Sequence, residues 1–339
     1  MANRIVHGGN LHEASQRYGI PYGQWLDLST GINPHGYPVP PVPADAWRRL
    51  PDEGDSYAAC AAQYYGAPDA SHVLPVAGSQ AAIRALPTLL PHATVAIAPL
   101  TYSEYAPAFE RAGHRITPLD IAWDALPDHV THTVVVNPNN PTAHHLTAAK
   151  LLDWHTQLMQ RGGTLVVDEA FADTMPAASL AAYTDRPGLV VLRSPGKFFG
   201  LAGVRAGFVL ATLPLLDALR DVLGAWTVSG PARHAVSAAF RDVAWQREMR
   251  GHLEAESTRL TSLLRTQRFA SHGTPLFAWT EDARAAALHH QLALRGIWTR
   301  LFPVSASVRF GLPGTQAEWQ RFEQALIESV QAIDAARES

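Results

Sequence analysis

Short apolar runs alternate with helix-like patterns between residues 72 and 211, and this alternation restricts the chain to few folds. Each run is rich in valine, leucine and isoleucine, lacks polar alternation and ends in turn residues, which is typical of strands buried on both faces of a parallel sheet. The runs are His72–Val76, Ala93–Ala98, His132–Val136, Thr164–Val167 and Gly188–Leu192. The pattern predicts an α/β domain with a mostly parallel central sheet flanked by helices.

A further strand is predicted over Ala206–Ala211. Parallel neighbours need a crossover of about a dozen or more residues, and only a short loop precedes this run. We therefore expect it to pair antiparallel.

The pattern changes after residue 214, where long helices and shorter strands follow one another. A helix is predicted over about 232–266 and another over about 315–336, with strands near Pro275–Trp279, Ile297–Leu301 and Ser305–Gly311. This indicates a separate, smaller α+β domain. We expect an N-terminal arm over 1–40 that joins the small domain, a large domain over 41–225 and the small domain over 226–339.

Composition excludes several classes of function. The net charge of −3 gives no electrostatic footprint for nucleic acid or an anionic membrane. The single cysteine, Cys60, cannot form an internal disulfide, and no apolar stretch reaches signal-peptide or transmembrane character. We expect a cytoplasmic protein that acts on a small molecule.

Lysine usage draws attention to one position. Lys150 and Lys197 are the only lysines among 27 basic residues. An arginine is permanently protonated, whereas a lysine amine can lose its proton and attack a carbonyl. Lys197 lies in the glycine-rich stretch Ser194–Gly207, with the phosphate-binding fork of Arg205 close behind it. A nucleophilic lysine is therefore predicted at residue 197.

The predicted strand ends carry complementary chemical groups. Ligands of parallel sheets bind beyond the carboxyl ends of the strands. The groups predicted there are an anion cradle, an aromatic ring, an amide, a carboxylate and an amine, supplied by Gly78-Ser79-Gln80, Tyr102, Asn140, Asp168 and Lys197. This set is what pyridoxal 5′-phosphate requires of a protein.

Three motifs occur in an order that identifies a family: Asn137–Thr142, Asp168–Phe171 and Ser194–Gly207. With them, nearly the whole chain resembles the fold-type-I pyridoxal-phosphate enzymes of the class I and II aminotransferase family. The resemblance implies that Lys197 binds the cofactor covalently and that Asp168 pairs with its ring nitrogen. It also implies that Asn140 binds the ring hydroxyl.

The resemblance extends to the remaining cofactor and substrate contacts. Tyr102 would stack on one face of the ring and Ala170 would pack on the other. The cofactor phosphate would be held by Gly78, Ser79, Gln80, Ser194 and Arg205. Arg309 resembles the arginine that binds the substrate carboxylate in this family.

Three N-terminal stretches carry a closer resemblance: His7–Asn10, Asp27–Pro34 and Leu74–Ala82. They resemble the branch that decarboxylates L-threonine O-3-phosphate to (R)-1-amino-2-propanol O-2-phosphate and CO₂ in cobalamin biosynthesis. The branch that transaminates histidinol phosphate shares the cofactor motifs and stays an alternative. The substrate-binding residues expected besides Arg309 are His7, Gly8, Gly9, Gly31, Ile32, Asn33 and Arg300.

The chain departs from the family pattern at two positions. Relatives often have a tyrosine where this chain has Phe171, which cannot donate to the ring hydroxyl. They also have Tyr-Pro-Asp where this chain has Leu50-Pro51-Asp52, and that tyrosine commonly reaches the partner subunit's phosphate. A homodimer is still implied, with Tyr57 as a candidate replacement for the missing phenol.

Other classes of protein fit less well. A nicotinamide dehydrogenase would need a glycine fingerprint after its first strand, which is absent, and a cofactor-binding regulator would need a basic DNA-binding module. Adjacent histidines such as His144-His145 and His289-His290 rarely converge on one ion. We therefore predict no metal site.

Overall fold

The central strands form where the apolar runs lie, because short runs buried on both faces pair their backbone groups with neighbouring strands of a sheet. The computed structural model describes residues 7–338 of the chain. Its strands are, in chain order, β1 (Leu26–Asp27), β2 (Val73–Val76), β3 (Thr94–Ile97), β4 (Arg115–Pro118), β5 (His132–Val136), β6 (Thr164–Asp168), β7 (Leu189–Arg193), β8 (Gly207–Leu210), β9 (His272–Thr274), β10 (Phe277–Glu281), β11 (Ile297–Trp298), β12 (Arg300–Phe302) and β13 (Ser307–Gly311).

The helices separate the strands of the first half and dominate the second half. They are α1 (Leu11–Tyr18), α2 (Ala44–Arg48), α3 (Tyr57–Tyr65), α4 (Ser79–Ala85), α5 (Tyr105–Arg111), α6 (Ala148–Met159), α7 (Leu213–Leu223), α8 (Gly230–Arg241), α9 (Val243–Thr266), α10 (Ala285–Leu294) and α11 (Gln316–Glu338). Within residues 7–338, none of these helices combines the length and the apolar character needed to cross a bilayer.

The described residues divide into two units. The larger unit comprises residues 37–140 and 144–246, and the smaller unit comprises 7–36, 141–143 and 247–338. The domain boundaries expected at residues 40 and 225 stay a prediction.

A seven-stranded sheet organises the larger unit, in the order β2-β8-β7-β6-β5-β3-β4. Strands β3 to β7 pair in parallel, whereas β8 is antiparallel to both β2 and β7. Every residue of β5, β6 and β7 is buried, as their valine- and leucine-rich runs predict, and the charged residues at the ends of β6 and β7, Asp168 and Arg193, are buried too. The predicted α/β class, the mostly parallel sheet and the antiparallel last strand are confirmed.

The smaller unit contains a four-stranded antiparallel sheet in the order β12-β13-β10-β9 and a two-residue parallel pair between β1 and β11. The strand predicted over Pro275–Trp279 is present as β10, but it begins two residues later, at Phe277, and ends at Glu281. Pro275 lies in the turn between β9 and β10, where its missing N–H costs no ladder hydrogen bond.

The single helix predicted over about 232–266 is wrong, because the chain leaves the helical conformation at Asp242. This residue has φ −87° and ψ 77°, and its Oδ1 accepts a hydrogen bond of 3.0 Å from the Trp245 backbone N–H. Asp242 thereby caps the start of α9 while ending α8, an alternative that aspartate offers to the helical backbone. Apolar periodicity continues across the break and conceals it.

Candidate active site

The sheet of the larger unit brings several predicted residues to one edge. Strands β2, β5, β6 and β7 run in the same direction, so their carboxyl ends lie together. Gly207 at the start of β8 pairs with Val76 at the end of β2. Asp168 is the last residue of β6 and pairs with Val136 of β5 and Leu192 of β7.

Asp168 is buried, and both of its carboxylate oxygens accept hydrogen bonds. Oδ1 accepts from the Ala170 backbone N–H at 2.9 Å, and Oδ2 accepts from the Tyr105 hydroxyl at 2.6 Å. Burial is the largest influence and raises the pKa of Asp168, although these two bonds and the positive charge of Lys197 oppose it. Burial disfavours the ionised form of this carboxylate, and a cationic partner stabilises that form. A protonated ring nitrogen would be such a partner.

Lys197 is half-buried at the same edge, with its Nζ 5.7 Å from the centroid of the Phe171 ring. The other lysine, Lys150, lies on α6, where its Nζ donates to the Ile121 carbonyl at 2.8 Å and packs near Trp154. Only Lys197 therefore has its amine beside Asp168, which agrees with its predicted role.

A compact polar cradle lies between the ends of β2 and β7. The Ser194 hydroxyl donates to the Ser79 Oγ at 3.0 Å. Gly78 has φ +76°, and a Cβ there would come within 2.9 Å of the Arg205 Nη2. A Cβ on Gly207 would come within 2.5 Å of the Ser79 backbone nitrogen. Two hydroxyls and a guanidinium thus converge where glycine keeps the backbone close, a donor set that fits a phosphate.

Tyr102 belongs to a short hydrogen-bond chain. Its hydroxyl donates to the Gln80 Oε1 at 3.0 Å, and the Gln80 Nε2 donates to the Glu104 Oε2 at 2.7 Å. Burial, followed by the negative charges of Asp168 and Glu104, raises the pKa of Tyr102 to about 12, so the phenol stays neutral. These hydrogen bonds orient the ring of Tyr102. The amide of Gln80 is used in holding the Tyr102 hydroxyl, and a contact between Gln80 and the cofactor phosphate stays a prediction.

The asparagine-rich loop after β5 is organised by two of its members. Asn137 bonds both the backbone N–H and the carbonyl of Leu146, at 2.8 and 3.0 Å. Asn139 accepts from the Thr101 hydroxyl at 2.6 Å and donates to the Leu100 carbonyl. Asn140 follows them and is half-buried, and its contact with the ring hydroxyl stays a prediction.

Sequence reasoning missed Tyr105, the hydroxyl donor to Asp168. Its side chain is 1% exposed and lies at the start of α5. Only the fold brings it to β6, since 63 residues separate the two in sequence.

A buried ion network was also missed. The Arg193 guanidinium at the end of β7 binds the carboxylates of Glu169 and Asp173, with an Nη2–Oδ1 distance of 2.9 Å to Asp173. Burial disfavours its charge, but the two carboxylates outweigh burial and raise the pKa of Arg193. Because Arg193 precedes Ser194 and Glu169 follows Asp168, the network joins the two strand ends that carry the site. The sequence signal that could have revealed this network is Arg193 itself, an ionisable residue at the end of an otherwise apolar strand.

The smaller unit holds a pair of arginines, Arg300 and Arg309, which we call the arginine pair. They are directly opposed across the antiparallel strands β12 and β13, so both side chains lie on one face. Arg309 is 6% exposed and its Nη2 donates to the Ser29 carbonyl at 2.7 Å. Burial and the charge of Arg300, opposed by Asp27, lower the pKa of Arg309 to about 10. Both stay protonated at neutral pH, and two desolvated like charges favour an anionic ligand.

The N-terminal arm packs around Ser29 in the same unit. The Gly9 backbone N–H donates to the Ser29 Oγ at 2.7 Å, and that hydroxyl donates to Asp27 at 2.5 Å. A Cβ on Gly8 would lie 2.3 Å from the Ser29 carbonyl oxygen. The structure thus brings Gly8, Gly9 and Arg309 together around Ser29.

The other predicted arm residues occupy different environments. His7 is exposed, Gly31 is buried and Ile32 is half-buried. Asn33 is buried, and its Oδ1 accepts a hydrogen bond of 2.8 Å from the His35 backbone N–H. Contacts of these four residues with substrate stay a prediction.

Tyr57, the candidate replacement for the tyrosine that relatives carry at position 50, is not placed to reach a partner subunit. Tyr57 is 1% exposed, and its ring lies beneath the Arg233 guanidinium and beside Phe208. A side chain enclosed in its own unit cannot reach a partner subunit. Leu50, where relatives carry tyrosine, is instead 66% exposed.

The imidazoles of the adjacent pair His289-His290 have different partners. The His289 Nδ1 lies 2.8 Å from the Thr299 hydroxyl, whereas the His290 Nδ1 lies 3.2 Å from the Tyr18 hydroxyl. Each imidazole of this pair has its own partner.

We expect covalent labelling to identify Lys197 as the lysine that binds the cofactor. Purified protein should absorb visible light, and borohydride reduction should attach the cofactor to the peptide containing Lys197. Lys197→Arg should abolish labelling, because it keeps the charge but not the nucleophile, while Lys150→Arg should leave it intact. Peptide mass spectrometry checks this, and label on Lys150 would refute the assignment.

The chain is similar in sequence to proteins of known family. The model of the family "Aminotransferase class I and II" matches residues 51–326. The chain is 50% identical to the threonine-phosphate decarboxylase of Pseudomonas aeruginosa over 95% of this chain and 97% of the relative. It is 43% identical to the enzyme of that name from a Sinorhizobium species, over 96% and 98% of the two chains.

A solved structure shows the same fold. Histidinol-phosphate aminotransferase from Sinorhizobium meliloti, in complex with pyridoxal 5′-phosphate, superposes with a TM-score of 0.82 at 19% identity. The superposition covers 98% of this chain and 96% of that one.

Proposed function

The chain belongs to the class I and II aminotransferase family, and we propose that it is a pyridoxal-phosphate-dependent decarboxylase of L-threonine O-3-phosphate. The products are (R)-1-amino-2-propanol O-2-phosphate and CO₂, in cobalamin biosynthesis. Two nearly full-length relatives are decarboxylases of this name. The observation of this structure that carries the proposal is the arginine pair, because the substrate has two anionic groups, a carboxylate and a phosphate.

The residues of the larger unit fit pyridoxal 5′-phosphate. Bound there, the cofactor supplies an electrophilic carbon for the substrate amine and a conjugated ring that accepts the electron pair of a bond broken at Cα. Lys197 binds it through its amine. Ser79, Ser194 and Arg205 hold its phosphate, and Asp168 keeps a proton on its ring nitrogen.

The protein also decides which bond at Cα breaks. A bond breaks readily only when it is aligned with the π-system of the ring. In the proposal, Arg309 binds the substrate carboxylate and holds the Cα–carboxylate bond in that direction. Arg300 and the arm residues His7, Gly8 and Gly9 bind the phosphate, whose distance from the breaking bond lets its binding energy set the orientation. A proton then replaces CO₂ on Cα.

Transamination of the histidinol-phosphate type is the alternative, since it uses the same cofactor residues. It breaks the Cα–hydrogen bond instead and consumes a 2-oxo acid. The structural likeness to such an aminotransferase, at 19% identity, concerns the fold and does not favour that reaction.

The proposed reaction is tested by incubating the purified holoenzyme with O-phosphothreonine in the presence and absence of a 2-oxo acid. We expect stoichiometric CO₂ and aminopropanol phosphate without the acceptor, because decarboxylation regenerates the cofactor at each turnover. Turnover that stops after one equivalent and resumes only with the 2-oxo acid would establish the aminotransferase instead.

We also propose a homodimer that works in the cytoplasm. The family resemblance supports the dimer, and the larger unit exposes several large apolar side chains, among them Trp47, Leu50 and Trp226 at 69, 66 and 55%. The single cysteine suits a reducing compartment. Sedimentation at assay concentration should give a dimer, and a fully active monomer would contradict it.

A further inference from the structure

Two histidines and a glutamate converge in the smaller unit, and none of the three belongs to the site residues described above. His35 comes from the N-terminal arm, whereas His252 and Glu256 come from consecutive turns of α9. The His35 Nε2 lies 2.9 Å from the Glu256 Oε2, and the His252 Nε2 lies 3.2 Å from the His35 Nε2 and 3.4 Å from the Glu256 Oε1. We call these three residues the His-Glu cluster.

The spacing within the His-Glu cluster matches the edges of a metal coordination polyhedron. Zinc binds histidine nitrogen and carboxylate oxygen at about 2.0–2.2 Å, which places neighbouring ligands of a tetrahedron roughly 3.3 Å apart. The three measured separations, 2.9, 3.2 and 3.4 Å, lie around that value. His252 and Glu256 are four residues apart, so the helix itself presents both on one face.

Protons alone satisfy this arrangement poorly. If both imidazoles carry a proton on Nε2, their two N–H bonds meet at 3.2 Å. If only one carries it, that proton must serve both the other imidazole and the carboxylate. A divalent cation accepts all three lone pairs at once.

Neighbouring groups hold the ligands in place. The Trp319 Nε1–H donates to the Glu256 Oε1 at 3.3 Å, and the hydrogen bond from the His35 backbone N–H to the Asn33 Oδ1 fixes the turn that presents His35. Partners of this outer kind orient ligands in metal sites. The half-exposed side chain of His252 leaves room for water as a fourth ligand.

We propose that the His-Glu cluster binds a zinc ion. Two imidazoles and one carboxylate are a ligand set that suits zinc, whereas calcium and magnesium prefer oxygen alone. The ion would join the arm to α9, and His35 and Glu256 are 221 residues apart in sequence. Fixing the arm would order Gly31, Ile32 and Asn33, which are expected to bind the substrate. An effect of zinc on substrate binding therefore rests on the proposed function, but the binding of zinc does not.

The test is zinc binding by tag-free holoenzyme that has been stripped with a chelator. We expect about one zinc per chain by equilibrium dialysis and elemental analysis. His252→Ala and Glu256→Gln should weaken binding roughly 100-fold or more, since even outer partners of a ligand are worth about 10–100-fold. His129→Ala is the matched control, because His129 is exposed in the larger unit, and it should bind as the wild type does.

Thermal unfolding gives a second measurement. Micromolar zinc should raise the Tm of the wild type and of His129→Ala, but not that of His252→Ala, because a ligand stabilises only a state that binds it. Absence of zinc binding by the wild type, or equal binding by His252→Ala, would overturn the proposal. Neither result bears on decarboxylation, which the assay with O-phosphothreonine tests separately.

Discussion

Asp168→Asn should retain the cofactor and lose at least about 1,000-fold in turnover, or roughly 4 kcal/mol of transition-state stabilisation. The oxygen of the introduced amide can still accept from the Ala170 N–H, and its nitrogen can donate to the Tyr105 hydroxyl oxygen, so the site should keep its shape. It cannot supply the negative charge that keeps the ring nitrogen protonated, and without that proton the ring accepts electrons poorly. Cofactor content by absorbance and steady-state decarboxylation check this result.

Tyr105→Phe is the matched control for Asp168→Asn. The hydrogen bond from Tyr105 favours the ionised form of Asp168 and lowers its pKa, so losing the bond raises that pKa further. The carboxylate then protonates at a higher pH as acid is added. We expect the acidic limb of kcat/KM to move to higher pH, with modest loss near neutrality. Near-normal turnover of Asp168→Asn would show that the carboxylate has another role.

Arg309→Lys should weaken substrate binding and alter the products. A bidentate guanidinium–carboxylate pair is geometrically specific, and lysine reproduces its charge but not its fork. Losing this contact in a buried position should cost roughly 2–5 kcal/mol in kcat/KM. Turnover should suffer more than binding, because the same contact selects the bond that breaks. Slow transamination, detected as pyridoxamine phosphate, should appear.

Arg300→Lys separates the members of the arginine pair. Arg300 is directly opposed to Arg309, so each variant removes one guanidinium from the same face of the sheet and keeps the positive charge. If Arg300 binds the phosphate, its variant should weaken binding while the product stays aminopropanol phosphate. The absorption spectrum of the free holoenzyme should stay normal in both variants. An Arg309→Lys enzyme with unchanged affinity and products would make Arg300 the carboxylate residue to test.

The sequence by itself determined the class of fold and the central chemistry. Strands buried on both faces are mostly apolar, so the valine- and leucine-rich runs of β5, β6 and β7 were visible without any knowledge of their partners. Residues that follow such runs gather at one sheet edge, which made Asp168 and Lys197 predictable. Scarcity of lysine pointed to the same residue.

Only the tertiary structure decided the contacts that tune the site. Tyr105 reaches Asp168 across 63 residues, and strand register places Arg300 opposite Arg309. His35 meets Glu256 only because the arm folds onto α9. Periodicity reports which face of an element is buried but not which other element covers it. Pairings between distant residues follow from packing and register, and these depend on the whole chain.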